Sequence, residues 1–200
     1  MKFPCSGVIL SGGLNTRFSG REKAFIQIGE KRIIDRIYAL FSGLFEEIVV
    51  VTNNPLLFLE WDLNIVTDLF DIRSSLTGIH AGLFHTTNPY AFFTACDAPF
   101  LRKELVETIL ERIDEKADII MPRTSAGQEP LCSVYSKRCL ETAQQHLKQK
   151  KLKIQLAFRR CRIKYVSEKI LREKDPDLLS FFNINTPEDL TKAQEIAGKL

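Results

Sequence analysis

The sequence predicts an α/β fold, a Rossmann-like three-layer sandwich whose mostly parallel sheet carries helices on both faces. Three observations point there. Short β-branched and apolar runs alternate along the chain with segments whose apolar side chains recur every three or four positions. The strand-like runs are nearly continuously apolar, as in strands buried on both faces. Several of them stop at glycine, asparagine or aspartate, residues that turn a chain at the end of a strand.

Taken in order, Gly7-Val8-Ile9-Leu10 is the first strand, closed by Ser11-Gly12-Gly13. A charged segment leads to a helix over 32–41, with apolar positions 33, 34, 37, 40 and 41 on one face. Residues 47–52 and 63–68 read as strands ending at Asn53-Asn54-Pro55 and at Asp68. A helix over 75–84 runs into Asn88-Pro89, and the strand 90–96 ends at Asp97. An amphipathic helix is expected over 103–116, strands over 117–122, 130–135 and 163–166, and a polar, basic helical pattern over 141–153. The last helix opens at Thr186-Pro187-Glu188-Asp189. The Thr186 oxygen can accept a free amide there, proline lacks one, and acidic residues suit the first turn.

Composition narrows the class. The chain has 200 residues, 44% hydrophobic and 26% charged, with a net charge of +3. One domain over 1–200 is expected, with a core too large for a disordered chain. No run approaches the roughly eighteen apolar residues of a membrane span, and the opening residues lack the pattern of a secretory signal. Cysteines at 5, 96, 132, 139 and 161 show neither zinc nor CxxC spacing, so a reduced, cytoplasmic protein with mostly buried thiols is expected. His80, His85 and His146 share no ligand spacing and read as structural or exposed. The charge excess is too small to imply nucleic acid, and no membrane partner is expected. The basic stretches 148–153 and 159–164 read first as solvated surface, because no aromatic stacking platform interleaves with them.

In an open parallel sheet, ligands bind beyond the carboxyl ends of the strands. Four such ends carry suggestive residues: Ser11-Gly12-Gly13, Asn53-Asn54, Asp68 and Asp97. The Ser-Gly-Gly turn lets phosphate oxygens approach its amides, with Arg17 and Lys23 just downstream as counter-charge. Alone, the glycine pair also fits an ordinary strand-to-helix turn. It matches neither G-x-G-x-x-G nor the P-loop, so dinucleotide-dependent oxidoreductases and P-loop ATPases lack their fingerprints. Asp97 could offer a carboxylate to Mg²⁺, which takes one or two carboxylates with substrate phosphates, or could simply cap a turn.

The segment Leu10-Ser11-Gly12-Gly13-Leu14-Asn15-Thr16-Arg17-Phe18-Ser19-Gly20-Arg21-Glu22-Lys23 resembles the L-[AS]-G-G-x-x-x-R-M-G-x-x-K signature of nucleotidyltransferases. Later landmarks follow in order: Val49 to Asn54, Asp68, Leu76-Thr77-Gly78-Ile79, Thr94 to Leu101, Gln128-Glu129-Pro130-Leu131, and Asn183-Ile184-Asn185-Thr186-Pro187-Glu188-Asp189-Leu190. Together they resemble the molybdenum cofactor guanylyltransferases. Phe18-Ser19 replaces Met-Gly, and Ser74-Ser75 stands where Gly-Pro is usual.

The resemblance implies the nucleotide-diphospho-sugar transferase type of fold, with a nucleotide-binding half over about 1–100 and a cofactor-substrate half over about 101–200. It implies transfer of GMP from GTP to molybdenum cofactor, with Mg²⁺ and release of pyrophosphate. Arg17, Lys23 and Asp97 are then catalytic, with Asp97 on the metal. Leu10, Ser11, Gly12, Gly13, Lys23, Asn53, Asp68, Gly78 and Asp97 bind nucleotide. Glu129, Asn183 and Asn185 face the cofactor, with the basic 159–164 segment beside them. Cofactor-insertion proteins or apo-molybdoenzymes are the expected protein contacts. Three alternatives stand beside this: CTP as donor to the same cofactor, an NTP transferred to a sugar phosphate, and a carrier of the dinucleotide cofactor without catalysis.

Overall fold

The alternation of strands and helices is realised in the computed structural model of the chain, which describes residues 2–12 and 22–199. After β1 (Ser6–Ser11), the described chain resumes at Glu22 with a single helical turn over Lys23–Phe25. The hairpin β2 (Gln27–Ile28) and β3 (Lys31–Arg32) leads into α1 (Ile33–Leu44). Then come β4 (Ile48–Thr52), β5 (Asn64–Val66), α2 (Ser75–His85), β6 (Tyr90–Ala95) and α3 (Lys103–Leu110). The second half holds β7 (Ile119–Thr124), β8 (Gly127–Gln128), β9 (Cys132–Ser136), α4 (Cys139–Lys148), α5 (Ile154–Ala157), β10 (Ile163–Ser167), α6 (Glu168–Arg172) and α7 (Pro187–Ala197).

Eight strands form the main sheet in the order β10-β7-β9-β6-β1-β4-β5, with β8 paired to β7. β1 lies between β4 and β6 and is parallel to both, Leu10 sitting opposite Val51 on one side and Ala95 on the other. β9 runs antiparallel to both β6 and β7. The sheet is thus mostly parallel with one central reversal. All six residues of β1 and all five of β4 are buried, which explains the continuous apolar runs Val8-Ile9-Leu10 and Ile48-Val49-Val50-Val51 within them.

Alternate residues of each strand face opposite layers. Ile9, Val50 and Phe92 pack with Ile34, Ile37 and Phe41 of α1 and with Leu105 and Ile109 of α3. Val8, Val49 and Phe93 pack with Ile79 of α2 and with Ala143 and Leu147 of α4. Gly82 permits the close seat of α2. A Cβ there would lie 2.6 Å from Phe93 and 2.8 Å from Val8.

Several expectations need correction. The helix predicted over 103–116 stops at Leu110, where the Arg112 and Ile113 amides reach back only three residues, and the Asp114 carboxylate then accepts the amides of Lys116 and Ala117 as the chain turns into β7. The pattern over 141–153 divides into α4, which begins earlier at Cys139, and the short α5. Lys150 adopts a left-handed φ of 56° between them. The strand expected over 130–135 is Cys132–Ser136 and is the reversed one. The predicted Thr186 cap is present: its Oγ1 accepts the Asp189 amide at 3.2 Å, and Asp189 Oδ2 accepts the Thr186 amide at 2.9 Å. Among the described residues, no helix is long and apolar enough to cross a membrane.

Candidate active site

Because β6, β1, β4 and β5 are parallel, their carboxyl ends share one edge. Ser11 and Gly12, Asn53, Asp68 and Asp97 therefore gather there. The reversal of β9 brings its amino end to the same edge, since Cys132 pairs with Thr94 near the end of β6. Glu129 joins the edge by this route.

The centre of the site is a three-way contact. Lys23 Nζ donates to Asp97 Oδ2 and to Asn185 Oδ1, each at 2.9 Å. The Lys23 and Asp97 side chains are only 19% and 17% exposed, so the pair is sheltered from bulk screening. Three distant stretches meet at this ammonium. Lys23 stands in the turn after the glycine-rich segment, Asp97 follows β6, and Asn185 precedes α7. The Cys96 amide donates to the Leu10 carbonyl at 3.0 Å, which ties the end of β6 to β1. The Ile184 amide donates to the Asp97 carbonyl, also at 3.0 Å, so Asn185 sits one residue from a fixed point.

Beside this centre, Asn53 Nδ2 donates to Asp68 Oδ2 at 3.2 Å. Burial raises the Asp68 carboxyl above its ordinary range, and the Asn53 hydrogen bond opposes the shift. Gly78 on α2 faces Leu10, whose Cδ2 would lie 3.1 Å from an added Cβ. Ser74 caps α2 by accepting the Thr77 amide at 3.2 Å, leaving other first-turn amides pointing beyond the helix at this edge.

Glu129 is half-buried, and that desolvation raises its carboxyl. Asn183 is exposed, with buried Ile184 separating it from Asn185. Gly13 and Arg17 lie outside the described residues. The 159–164 segment is a correction: Arg162 binds Asp118 at 2.8 Å and Lys164 binds Asp114 at 2.6 Å, beside the amino ends of β7 and β10. Those ends lie on the opposite edge from Asp97, because β7 runs parallel to β6 through the reversed β9.

Cys96 is buried, and burial first, then the Asp97 charge, push its thiol up to about 12, so it is no thiolate nucleophile. Cys5, Cys132 and Cys139 are buried too, and Cys161 is partly so. His80 is buried in α2, where desolvation lowers its pKa and disfavours the cation.

Four contacts around the centre escaped sequence reasoning. Glu22 accepts a hydrogen bond from Asn54 Nδ2. Gln194 of α7 accepts the Gly29 amide at 3.1 Å and donates to the Gln27 carbonyl at 2.7 Å, latching the hairpin that follows Lys23. Arg102 engages buried Asp175 at 3.3 Å. Each joins positions far apart in sequence and leaves no periodic signal.

Residues 7–163 match the MobA-like NTP transferase domain. The chain is 45% identical, over 94% of either sequence, to a molybdenum cofactor guanylyltransferase of Desulfosudis oleivorans. It is 37% identical, over 97% of each, to a probable molybdenum cofactor guanylyltransferase of Natranaerobius thermophilus. The crystal structure of molybdopterin-guanine dinucleotide biosynthesis protein A from Archaeoglobus fulgidus superposes with a TM-score of 0.87 at 29% identity, covering 98% of this chain and 100% of that one. The 2-C-methyl-D-erythritol 4-phosphate cytidylyltransferase of Thermus thermophilus shares the fold at 18% identity and a TM-score of 0.67, covering 99% of this chain and 100% of that one. The strand-edge arrangement thus comes with likeness in sequence and in fold along nearly the whole length, and the chain belongs to the MobA-like NTP transferase domain family.

Proposed function

We propose that the protein transfers GMP from GTP to molybdenum cofactor, releasing pyrophosphate. The observation that carries this reading is the Lys23 ammonium held between Asp97 and Asn185 at the nucleotide edge of the sheet. It stands on the likeness to guanylyltransferases at 45% and 37% identity.

In the transfer, an oxygen of the cofactor's terminal phosphate bonds to the α-phosphorus of GTP as the bond to the bridging oxygen breaks. The electron pair leaves with pyrophosphate. The protein's share is alignment and neutralisation of charge. The Ser11 and Gly12 backbone, with Gly13, would receive the β- and γ-phosphates. Lys23 and Arg17 would stabilise the charge that grows on the leaving oxygens. Leu10, Asn53, Asp68 and Gly78 would line the base pocket. Asn185, Asn183 and Glu129 would face the cofactor, which divides the domain into a nucleotide half up to about 100 and a cofactor half beyond.

Asp97 fits a Mg²⁺ site of the substrate-completed kind. Lys23 engages its Oδ2, and a hard divalent cation needs only one or two protein carboxylates when phosphates supply the rest. When bound there, Mg²⁺ would add positive charge beside the α-phosphate. Five free thiols suit a reducing compartment, the cytoplasm, where apo-molybdoenzymes or cofactor-insertion proteins would take the product.

The test incubates purified protein with Mg²⁺ and each of the four NTPs, with and without molybdenum cofactor, and follows pyrophosphate. Release from GTP that requires the cofactor is the expected result. Equal release from CTP, or release only with a sugar phosphate, overturns the guanylyl reading.

A further inference from the structure

The chain between α6 and α7 contains only one short helical turn, Leu179–Phe181, yet it delivers Asn185 to Lys23. A buried carboxylate organises it. Asp175 is 0% exposed, and its Oδ2 accepts the Ser180 amide at 2.7 Å. Its Oδ1 meets Arg102 Nε at 3.3 Å as an ion pair without completing a hydrogen bond. The Arg102 amide donates in turn to Ser180 Oγ at 3.0 Å. The Asp175 carbonyl accepts the Leu178 amide at 2.9 Å, closing a turn in which Leu178 holds a left-handed φ of 54°.

The far end of this segment is attached to the same neighbour. Phe182 packs on Phe100 with ring centres 5.9 Å apart, and the Ile184 amide binds the Asp97 carbonyl. Asp97, Phe100 and Arg102 all belong to the loop that leaves β6. Two chain segments are thus clamped at both ends, and each carries a group that meets Lys23.

Stability alone does not call for this arrangement. A fully buried carboxylate with one oxygen short of a hydrogen bond is disfavoured against an apolar residue of similar size. We infer that Asp175, gripped by Arg102, is a positioning residue for the transfer reaction: it seats the 175–185 segment so that Asn185 meets Lys23 beside Asp97. The inference rests on the proposed roles of Lys23, Asp97 and Asn185.

The test compares full-length Asp175→Asn, Ser180→Ala and Asn185→Ala, with Asp118→Asn as a control that loses ion pairs on the opposite edge. GTP-dependent pyrophosphate release gives kcat and KM, and thermal unfolding gives the folded fraction. Asp175→Asn and Ser180→Ala should each lower kcat about tenfold or more per folded molecule, the size expected for misplaced groups, with the KM for GTP changed less than about twofold. Asp118→Asn should melt earlier with unchanged kcat. In an Asn185→Ala background, Asp175→Asn should cost less than about twofold further, because both changes act through one contact. Ser180→Ala keeps the carboxylate and its bond to the backbone amide at 180 and removes only the tether from the Arg102 amide to Ser180 Oγ, so it tests the seating of the segment even if Asp175→Asn folds poorly. Unchanged kcat in both variants, or full multiplication with Asn185→Ala, overturns the inference. If Asn185→Ala itself keeps the full rate, the reading of the site fails and there is nothing for Asp175 to position. If Asn185→Ala falls while the other two do not, only the positioning role is lost.

Discussion

Asn53 holds the Asp68 carboxylate at 3.2 Å across the ends of two neighbouring parallel strands. Burial nevertheless leaves that carboxyl raised above its ordinary 3.8. The folded state therefore keeps the proton to a higher pH than the unfolded chain does. The stability linked to this group is present below 3.8 and is lost as pH rises through the raised value. Asp68→Asn should therefore melt above wild type at neutral pH, with the difference closing below about 4. The same change should raise the KM for GTP about tenfold or more, the loss expected for a hydrogen bond to a charged group. Melting curves across pH and steady-state kinetics check both.

Lys23→Ala removes the ammonium shared by Asp97 and Asn185. Turnover should fall about a hundredfold or more, the usual size for one electrostatic stabiliser. Melting should shift little, because the lysine lies at the site and outside the two cores. Single-turnover GMP transfer is the measurement, and an unchanged rate would make Lys23 a structural cation only.

Two glycines a turn apart on α2 should respond differently to alanine. At Gly82 the new methyl would lie 2.6 Å from the Phe93 ring, so Gly82→Ala should cost about 1–3 kcal/mol of stability by overpacking. At Gly78 the nearest atom is a terminal carbon of Leu10 at 3.1 Å, which a small rotation can move. Gly78→Ala should leave the midpoint of urea unfolding nearly unchanged, since alanine also favours the helix by about 1 kcal/mol. Its effect should fall on the KM for GTP.

Asp118 accepts from Arg138 at 2.7 Å and from Arg162 at 2.8 Å, and also from the Arg162 amide at 3.0 Å. These partners, Arg162 foremost, hold its carboxyl far below the ordinary 3.8. Its contribution to stability is present above 3.8 and fades as the medium is acidified through the lowered value. Asp118→Asn should lower stability by about 1–2 kcal/mol at neutral pH, allowing for solvent screening of the two arginines. That corresponds to a melting shift of about 3–6 °C, which should shrink in acid.

The parallel half of the sheet was legible because its strands carry their own evidence. Val49-Val50-Val51 and Phe92-Phe93 can be buried on both faces only under two layers of helix. Asp97 and Asp68 were legible as strand ends for the same reason. The direction of β9 was not, because apolar runs read alike in either orientation and only the pairing of Cys132 with Thr94 reveals it. The basic 159–164 segment is surface, as its residues suggest, and its placement beside the cofactor residues, which the resemblance implies, fails for a related reason. Charge is visible in sequence, but Asp118, the partner that neutralises Arg162, lies 44 residues away. Asp175 was hidden because a buried acid and a solvated one are spelled alike.

The contact between Lys23 and Asn185 spans 162 residues, and the hairpin after Lys23 is latched by Gln194 nearer still to the carboxyl end. A chain emerging from the ribosome therefore holds the end of β1, and even Asp97, long before Asn185 is there to complete the contact at Lys23. The contact of Lys23 with both Asp97 and Asn185 is complete only once the segment leading into the last helix has been made. On the proposed roles, a growing or clipped chain that lacks Asn185 should bind nucleotide without turning it over.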